Sequence, residues 1–173
     1  MMIHVYYGEG KGKTTAAAGL ALRAAGNGLR VLFVQFMKAR PSGETAMLSA
    51  IPGVIVLKNR TELGFYKNMT AAQKEQAFEM HRQNLEKAAK LIEEDGCGLL
   101  VLDEVFSAYA YGLLDREVVL SFLTRAEEGQ FELVLTGREP DDVFTEKADY
   151  ITQMKKERHP YDKGAAARKG IEY

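Results

Sequence analysis

Short continuous apolar runs alternate along the chain with stretches in which apolar residues recur every three or four positions. Met1 to Tyr6 is the first such run, and the alanine-rich stretch Thr14 to Gly26 after it reads as a helix, with Gly28 in the turn that follows. Arg30 to Phe36 is apolar without alternation, which predicts a strand of a parallel sheet covered on both faces. Pro41-Ser42-Gly43 marks a loop, Glu44 to Ala50 a short helix, and Val54 to Leu57 a strand nearer an edge. Asn59 to Asn68 is polar, aromatic and irregular. Thr70, with Gln73 three positions on, predicts a capping box that opens the longest helix, to about Glu94. Ala77, Met80, Leu85, Ala88, Leu91 and Ile92 form its predicted apolar face. Leu99 to Leu102 is another buried strand, ending at Asp103-Glu104. Asp115 caps a helix through Leu123, and Phe131 to Thr136 is a strand ending at Gly137-Arg138. Asp141 to Lys147 is short and helical, and Tyr150 to Met154 is the last strand. The tail from His159 to Tyr173 is rich in glycine and charge.

This alternation predicts an α/β protein: a three-layer, doubly wound, mostly parallel sheet in a single domain over 1–173, with a C-terminal tail from about 159. In such sheets ligands sit at the carboxyl ends of the strands. That rule picks out four places: the glycine loop after the first strand, Gln35 to Lys38, Asp103-Glu104, and Gly137-Arg138.

Composition narrows the class. The 173 residues suffice for one domain with a real core, and 46% hydrophobic with 27% charged residues is ordinary for a soluble globular chain. A net charge of −1, with acids and bases mixed, argues against a nucleic-acid partner. The single cysteine, Cys97, excludes an internal disulfide and a cysteine zinc cluster; its neighbours make it a small core residue at a strand entrance. No apolar run is long enough to span a membrane, and no basic-then-apolar leader precedes the first strand, so a cytoplasmic protein is expected. Of the histidines, His4 reads as a strand residue, His81 as a solvated residue of the long helix, and His159 as part of the tail. No serine–histidine–acid arrangement stands out.

The strongest chemical signal is Gly8-Glu9-Gly10-Lys11-Gly12-Lys13-Thr14-Thr15, lying between a strand and a helix. That context turns a glycine-lysine-threonine string into a phosphate cradle. Glycines let backbone N–H groups converge on an anion, and the helix adds its free N–H groups and the positive end of its dipole. Lys13 brings a mobile charge, and Thr14 or Thr15 a hydroxyl for Mg²⁺. The loop is a variant of the standard G-x-x-x-x-G-K-[ST]: Tyr7 occupies the first position, and the glycine comes one residue late, at Gly8. Asp103-Glu104 fits an apolar strand delivering a carboxylate to Mg²⁺ beside the cradle, with Glu104 the closer partner and Asp103 behind it. Arg138 follows a strand at the ligand edge, where its planar fork suits phosphate oxygens. Phe65 and Tyr66 read either as a plug on the core or as an apolar platform for a ligand.

Together these residues resemble the ATP:corrinoid adenosyltransferases. Gly8 to Thr15 looks like that family's variant loop, Val34-Gln35-Phe36-Met37-Lys38 its VQFxK strand end, Val101-Leu102-Asp103-Glu104 its VLDE, and Thr136-Gly137-Arg138 its TGR. The tail, from His159-Pro160-Tyr161-Asp162-Lys163-Gly164 to Ile171-Glu172-Tyr173, is similar to its closing segment. The resemblance implies a P-loop NTPase-like (RecA-like) fold. It also implies transfer of the 5′-deoxyadenosyl group of ATP to the Co(I) of a reduced corrinoid, with release of triphosphate. ATP and the corrinoid are then substrates, with Mg²⁺ as metal. Lys13, Glu104 and Arg138 are the catalytic residues. Gly8, Glu9, Gly10, Lys11, Gly12, Lys13, Thr14, Thr15 and Arg138 bind nucleotide, and Thr14, Glu104 and Asp103 serve the metal. Phe65 falls in the segment that closes the corrinoid pocket, where an apolar side chain displacing the lower ligand of cobalt eases reduction. A homodimer and a flavodoxin-type reductant are implied as partners, with no nucleic acid and no membrane.

The chain departs from the family at Glu9, where a small polar residue is usual, and at Lys67, where better-known members carry tryptophan. Longer members have a segment before the first strand that helps cover an active site in the dimer; with the strand opening this chain, that lid is expected to be missing. Two alternatives stand beside the adenosyltransferase. A P-loop kinase or ATPase would need a catalytic group at the γ-phosphate. A non-catalytic nucleotide- or corrinoid-binding module would bind without turnover.

Overall fold

The structure is a computed structural model that describes residues 1–38, 42–64, 66–164 and 166–171, with backbone alone at Tyr161 and Lys163. Among these residues six strands form one sheet: β1 (Ile3–Tyr7), β2 (Val31–Gln35), β3 (Val54–Lys58), β4 (Leu99–Asp103), β5 (Glu132–Gly137) and β6 (Tyr150–Gln153). Their order is β3-β2-β4-β5-β1-β6 and every pairing is parallel. The α-helices among the described residues are α1 (Lys13–Gly26), α2 (Gly43–Ser49), α3 (Ala71–Asp95), α4 (Val105–Ala110), α5 (Arg116–Glu127) and α6 (Asp142–Thr145).

The unbroken apolar runs mean what they predict. Val31, Phe33, Leu99, Val101 and Val134 point to one face, where Ala17, Ala21 and Ala24 of α1 and Leu48 of α2 cover them. Leu32, Val34, Leu100, Leu102, Leu133 and Leu135 point to the other, under α3, α5 and the shorter α4 and α6. Alternate side chains of a strand reach opposite faces, so a strand covered on both sides has to be apolar throughout. The alanines of α1 let that helix lie close to the sheet. β3 is an edge, as expected, and β6 is the other, with all four residues exposed.

The capping box is present: Thr70 Oγ1 accepts from Gln73 N, and Gln73 Oε1 accepts from Thr70 N. Two expectations change. His81 is not solvated; it is wholly buried in the middle of the inner face of α3, with Ala77, Leu85, Ala88 and Ile92. Met80 and Leu91, assigned to that face, lie only half-buried beside it. Helix α4 was not foreseen, because Val105 to Ala110 is short and apolar with no helical period to distinguish it from loop.

Candidate active site

Parallel register brings the carboxyl ends of β1, β2, β4 and β5 into one row. Tyr7 pairs with Gly137, and Gln35 with Asp103. β5 lies between the strand that feeds the glycine loop and the strand that ends in Asp103. Tyr7 is still in β1, which is why the loop's first glycine comes at Gly8. Gly8, with φ +112°, donates its N–H to Arg138 O (2.9 Å), and Gly10 donates to Met154 O (2.6 Å). A Cβ would meet Met154 O at 2.6 Å from Gly8 and at 2.5 Å from Gly10. The late glycines are therefore demanded by the backbone leaving β6, which runs against the loop.

Within the loop, Lys13 Nζ donates to the carbonyls of Gly8 (2.7 Å) and Gly10 (2.8 Å). Burial, the largest influence, pulls the Lys13 ammonium below the usual lysine range, with Glu104 opposing that shift. Asp103 is wholly buried and both oxygens of its carboxylate are hydrogen-bonded. Oδ1 accepts from Thr14 Oγ1 (2.9 Å) and Thr136 Oγ1 (2.7 Å), and Oδ2 accepts from Gln35 Nε2 (2.8 Å). Thr136 in turn accepts the N–H of Glu104 at 3.0 Å. Because the Thr14 hydroxyl proton is directed at Asp103, the oxygen's lone pairs are left for another partner.

Glu104 stands at the turn from β4 to α4 with φ 60° and ψ 27°, left-handed geometry rare outside glycine. Such a sharp strand-to-helix turn lifts a side chain above the sheet edge, the logic of a nucleophile elbow applied to a carboxylate. Burial and, after it, the neighbouring Asp103 raise its pKa, while Lys38, Lys13 and Arg138 pull it down. Lys11, Gly12, Lys13, Thr14, Thr15, Lys38 and Glu104 line a hollow of about 320 Å³, which Gly170 and Ile171 of the tail also border. Lys38 was placed at the ligand edge by its strand end but given no role; here it faces the loop.

Arg138 lies on the other side of the loop. It pairs with Glu9 (Nη1 to Oε2, 3.3 Å), both more than half exposed, and both border a second hollow of about 740 Å³. Glu9 thus points to Arg138. Tyr66 opens a 3₁₀ turn and stacks on Tyr111 at 4.0 Å and 4°. Lys74 Nζ lies 4.4 Å over the Tyr66 ring. A 4.0 Å stack leaves no room for an ammonium between the rings, so Tyr66 is covered by Tyr111 on one face and by Lys74 on the other. Phe65 lies outside the described residues. Cys97 is half-buried, and burial pushes its thiol up to about 11, out of the range of a nucleophile.

The donor set fits Mg²⁺ as a partial shell. A carboxylate and an aligned hydroxyl are hard oxygen ligands beside a phosphate cradle. No group of three or more His, Cys, Asp or Glu among the described residues could hold a metal ion. Mg²⁺ suits such a site because it keeps waters and phosphate oxygens as its other ligands.

An all-parallel sheet with a glycine loop, a lysine-threonine pair and an acidic strand one strand away defines a P-loop nucleotide-binding protein. The fold is similar to that of the KaiC-like protein of Pyrococcus horikoshii OT3, with a TM-score of 0.56 at 16% identity over 91% of this chain and 74% of that one. The family model ATP:corrinoid adenosyltransferase BtuR/CobO/CobP matches residues 1–173, and the chain belongs to that family. It is 33% identical to a corrinoid adenosyltransferase of Pseudomonas aeruginosa, covering 98% of this chain and 82% of that protein. It is 34% identical to the corrinoid adenosyltransferase CobA of Salmonella typhimurium, covering 99% and 85%. The chain is accordingly an enzyme of adenosyl transfer from ATP to a reduced corrinoid.

Proposed function

We propose that Lys13, Thr14, Glu104 and Arg138 carry this transfer within one nucleotide-binding domain over 1–173. The observation that supports it is the convergence of Lys13, Lys38, Thr14 and Glu104 on one hollow, with Asp103 aiming the Thr14 hydroxyl. The nucleophile is the reduced cobalt of the substrate, so the chain supplies neither nucleophile nor base. Its work is to hold the ribose C5′ of ATP near the corrinoid and to neutralise the departing triphosphate. Lys13 exchanges its two loop carbonyls for phosphate oxygens, and the backbone amides of Lys13 to Thr15, at the head of α1, complete the cradle, since those of Gly8 and Gly10 already bond Arg138 O and Met154 O. Thr14 and Glu104 would hold Mg²⁺, whose charge stabilises the triphosphate when bound; Asp103 orients Thr14. Arg138 leaves its weak exposed pairing with Glu9 for phosphate, an exchange that costs little. Phe65 serves the corrinoid side. By the same family likeness the working unit is a cytoplasmic homodimer, and a flavodoxin-type protein supplies the electrons.

The test combines protein, Mg-ATP and chemically reduced cobalamin. Triphosphate and a photolabile alkylcobalamin are expected, and Lys13→Ala should abolish triphosphate release. ADP and phosphate without cobalt alkylation would sink the assignment.

A further inference from the structure

His81 is a buried titratable side chain that the transfer chemistry leaves unused. Its Nδ1 lies 2.9 Å from Leu113 O, which can only accept, so Nδ1 carries the proton. Nε2 is then bare and accepts from Met37 N–H at 3.4 Å and from Asn59 Nδ2 at 3.0 Å. The ring also packs edge-on against Phe36 at 5.2 Å. One imidazole thus joins the chain leaving β2, the chain leaving β3, and the turn between α4 and α5.

Met37 shows what the junction holds. It has φ +61°, and Lys38 N donates to Phe36 O at 2.8 Å. A bond spanning two residues around a left-handed centre is the geometry of the strained γ-turn. Such strain persists only where the surroundings over-determine it. Buried Phe36 anchors one end of this turn, and His81 holds its central N–H. The turn directs the chain so that Lys38 lines the hollow with Lys11 to Thr15 and Glu104.

We infer that His81 is a positioning residue for adenosyl transfer: by holding Met37 N–H it maintains the turn that presents Lys38 to the triphosphate. This rests on the reading of the loop hollow as the triphosphate site.

The experiment is a double-mutant cycle on the full chain. The kcat and the KM for Mg-ATP and for reduced cobalamin are measured for His81→Phe, Lys38→Ala and the double variant, with circular dichroism and Tm checking the fold. His81→Phe keeps the ring volume but has no nitrogen. Each single variant should raise the KM for ATP about tenfold, with the KM for cobalamin within about twofold of wild type, and the double variant should be no worse than Lys38→Ala. Equal factors for His81→Phe in both backgrounds, or an unchanged KM for ATP, overturn the inference. If His81→Phe does not fold, the cycle is read on His81→Asn, too short to span Leu113 and Met37 together, with the same criteria. Lys13→Ala and Lys38→Ala, read as the equilibrium Kd for Mg-ATP by calorimetry because Lys13→Ala is not expected to turn over, separate the two claims. If the hollow does not bind triphosphate, both variants keep the wild-type Kd. If only the role of His81 fails, both still raise it.

Discussion

At the scale of single residues, the hollow beside the loop depends on hydrogen bonds that hold both oxygens of Asp103. A wholly buried carboxylate is tolerable only when donors surround it, and here Thr14, Thr136 and Gln35 do so. Thr136 has a double part, since it also accepts from Glu104 N. Thr136→Val keeps the shape and removes the hydroxyl, leaving the part-buried N–H of Glu104 unpaired and Asp103 short of a donor. Urea unfolding should show a loss of about 1–3 kcal/mol, and Thr136→Ser should recover most of it. That Lys13, Thr14 and Glu104 would lie close together was legible from motif and strand-end position, and they line one hollow. Thr136 was visible only as part of a Thr-Gly-Arg string, because its partners lie on two other elements. His81 was misread because a polar residue on a long helix is usually solvated. Its partners, Met37, Asn59 and Leu113, are distant in sequence and show no periodicity.

At the scale of elements, local signals were reliable where the chain's own chemistry sets the geometry. The capping box of α3 is such a case, since Thr70 and Gln73 satisfy each other's neighbouring N–H groups. Thr70→Ala should cost about 1 kcal/mol, read as a lowered unfolding midpoint with adenosyl transfer unchanged at saturating substrates. Strand ends were less legible. The turn at Glu104 requires a left-handed non-glycine residue, and nothing local announces it. Gly137 belongs to the same corner: a Cβ there would come within 2.8 Å of Phe106, the second residue of α4. The two carboxyl-terminal corners of β4 and β5 are built against each other.

At the scale of the whole molecule, pH reports on the buried junction. Burial holds the His81 imidazole below its ordinary value of 6.5, and its partners here are a carbonyl, an amide, a backbone N–H and a ring edge, none of them charged. The unfolded chain therefore binds a proton at a higher pH than the native one. Between the two pKa values the unfolded state holds more protons, so stability falls as pH drops below about 6.5 towards the folded value. The Tm should be lower at pH 5 than at pH 7, and His81→Gln, which does not titrate, should show a smaller fall. An equal fall in both proteins would place the pH dependence in other groups.

The sequence by itself determined the layered sheet, the nucleotide loop and the acidic strand end. Continuous apolar strands have no other stable setting than a sheet covered on both faces, and the loop chemistry is contained within eight consecutive residues. The tertiary structure decided what depends on distant partners. It set the glycines of the loop against Met154 O, the Thr14 hydroxyl on Asp103, and Glu9 with Arg138 at the second hollow. It also brought Lys38 to the loop through a turn held by His81. The physical reason is the same each time: a backbone can be strained, or a charge buried, only where residues far apart in the chain meet to compensate it.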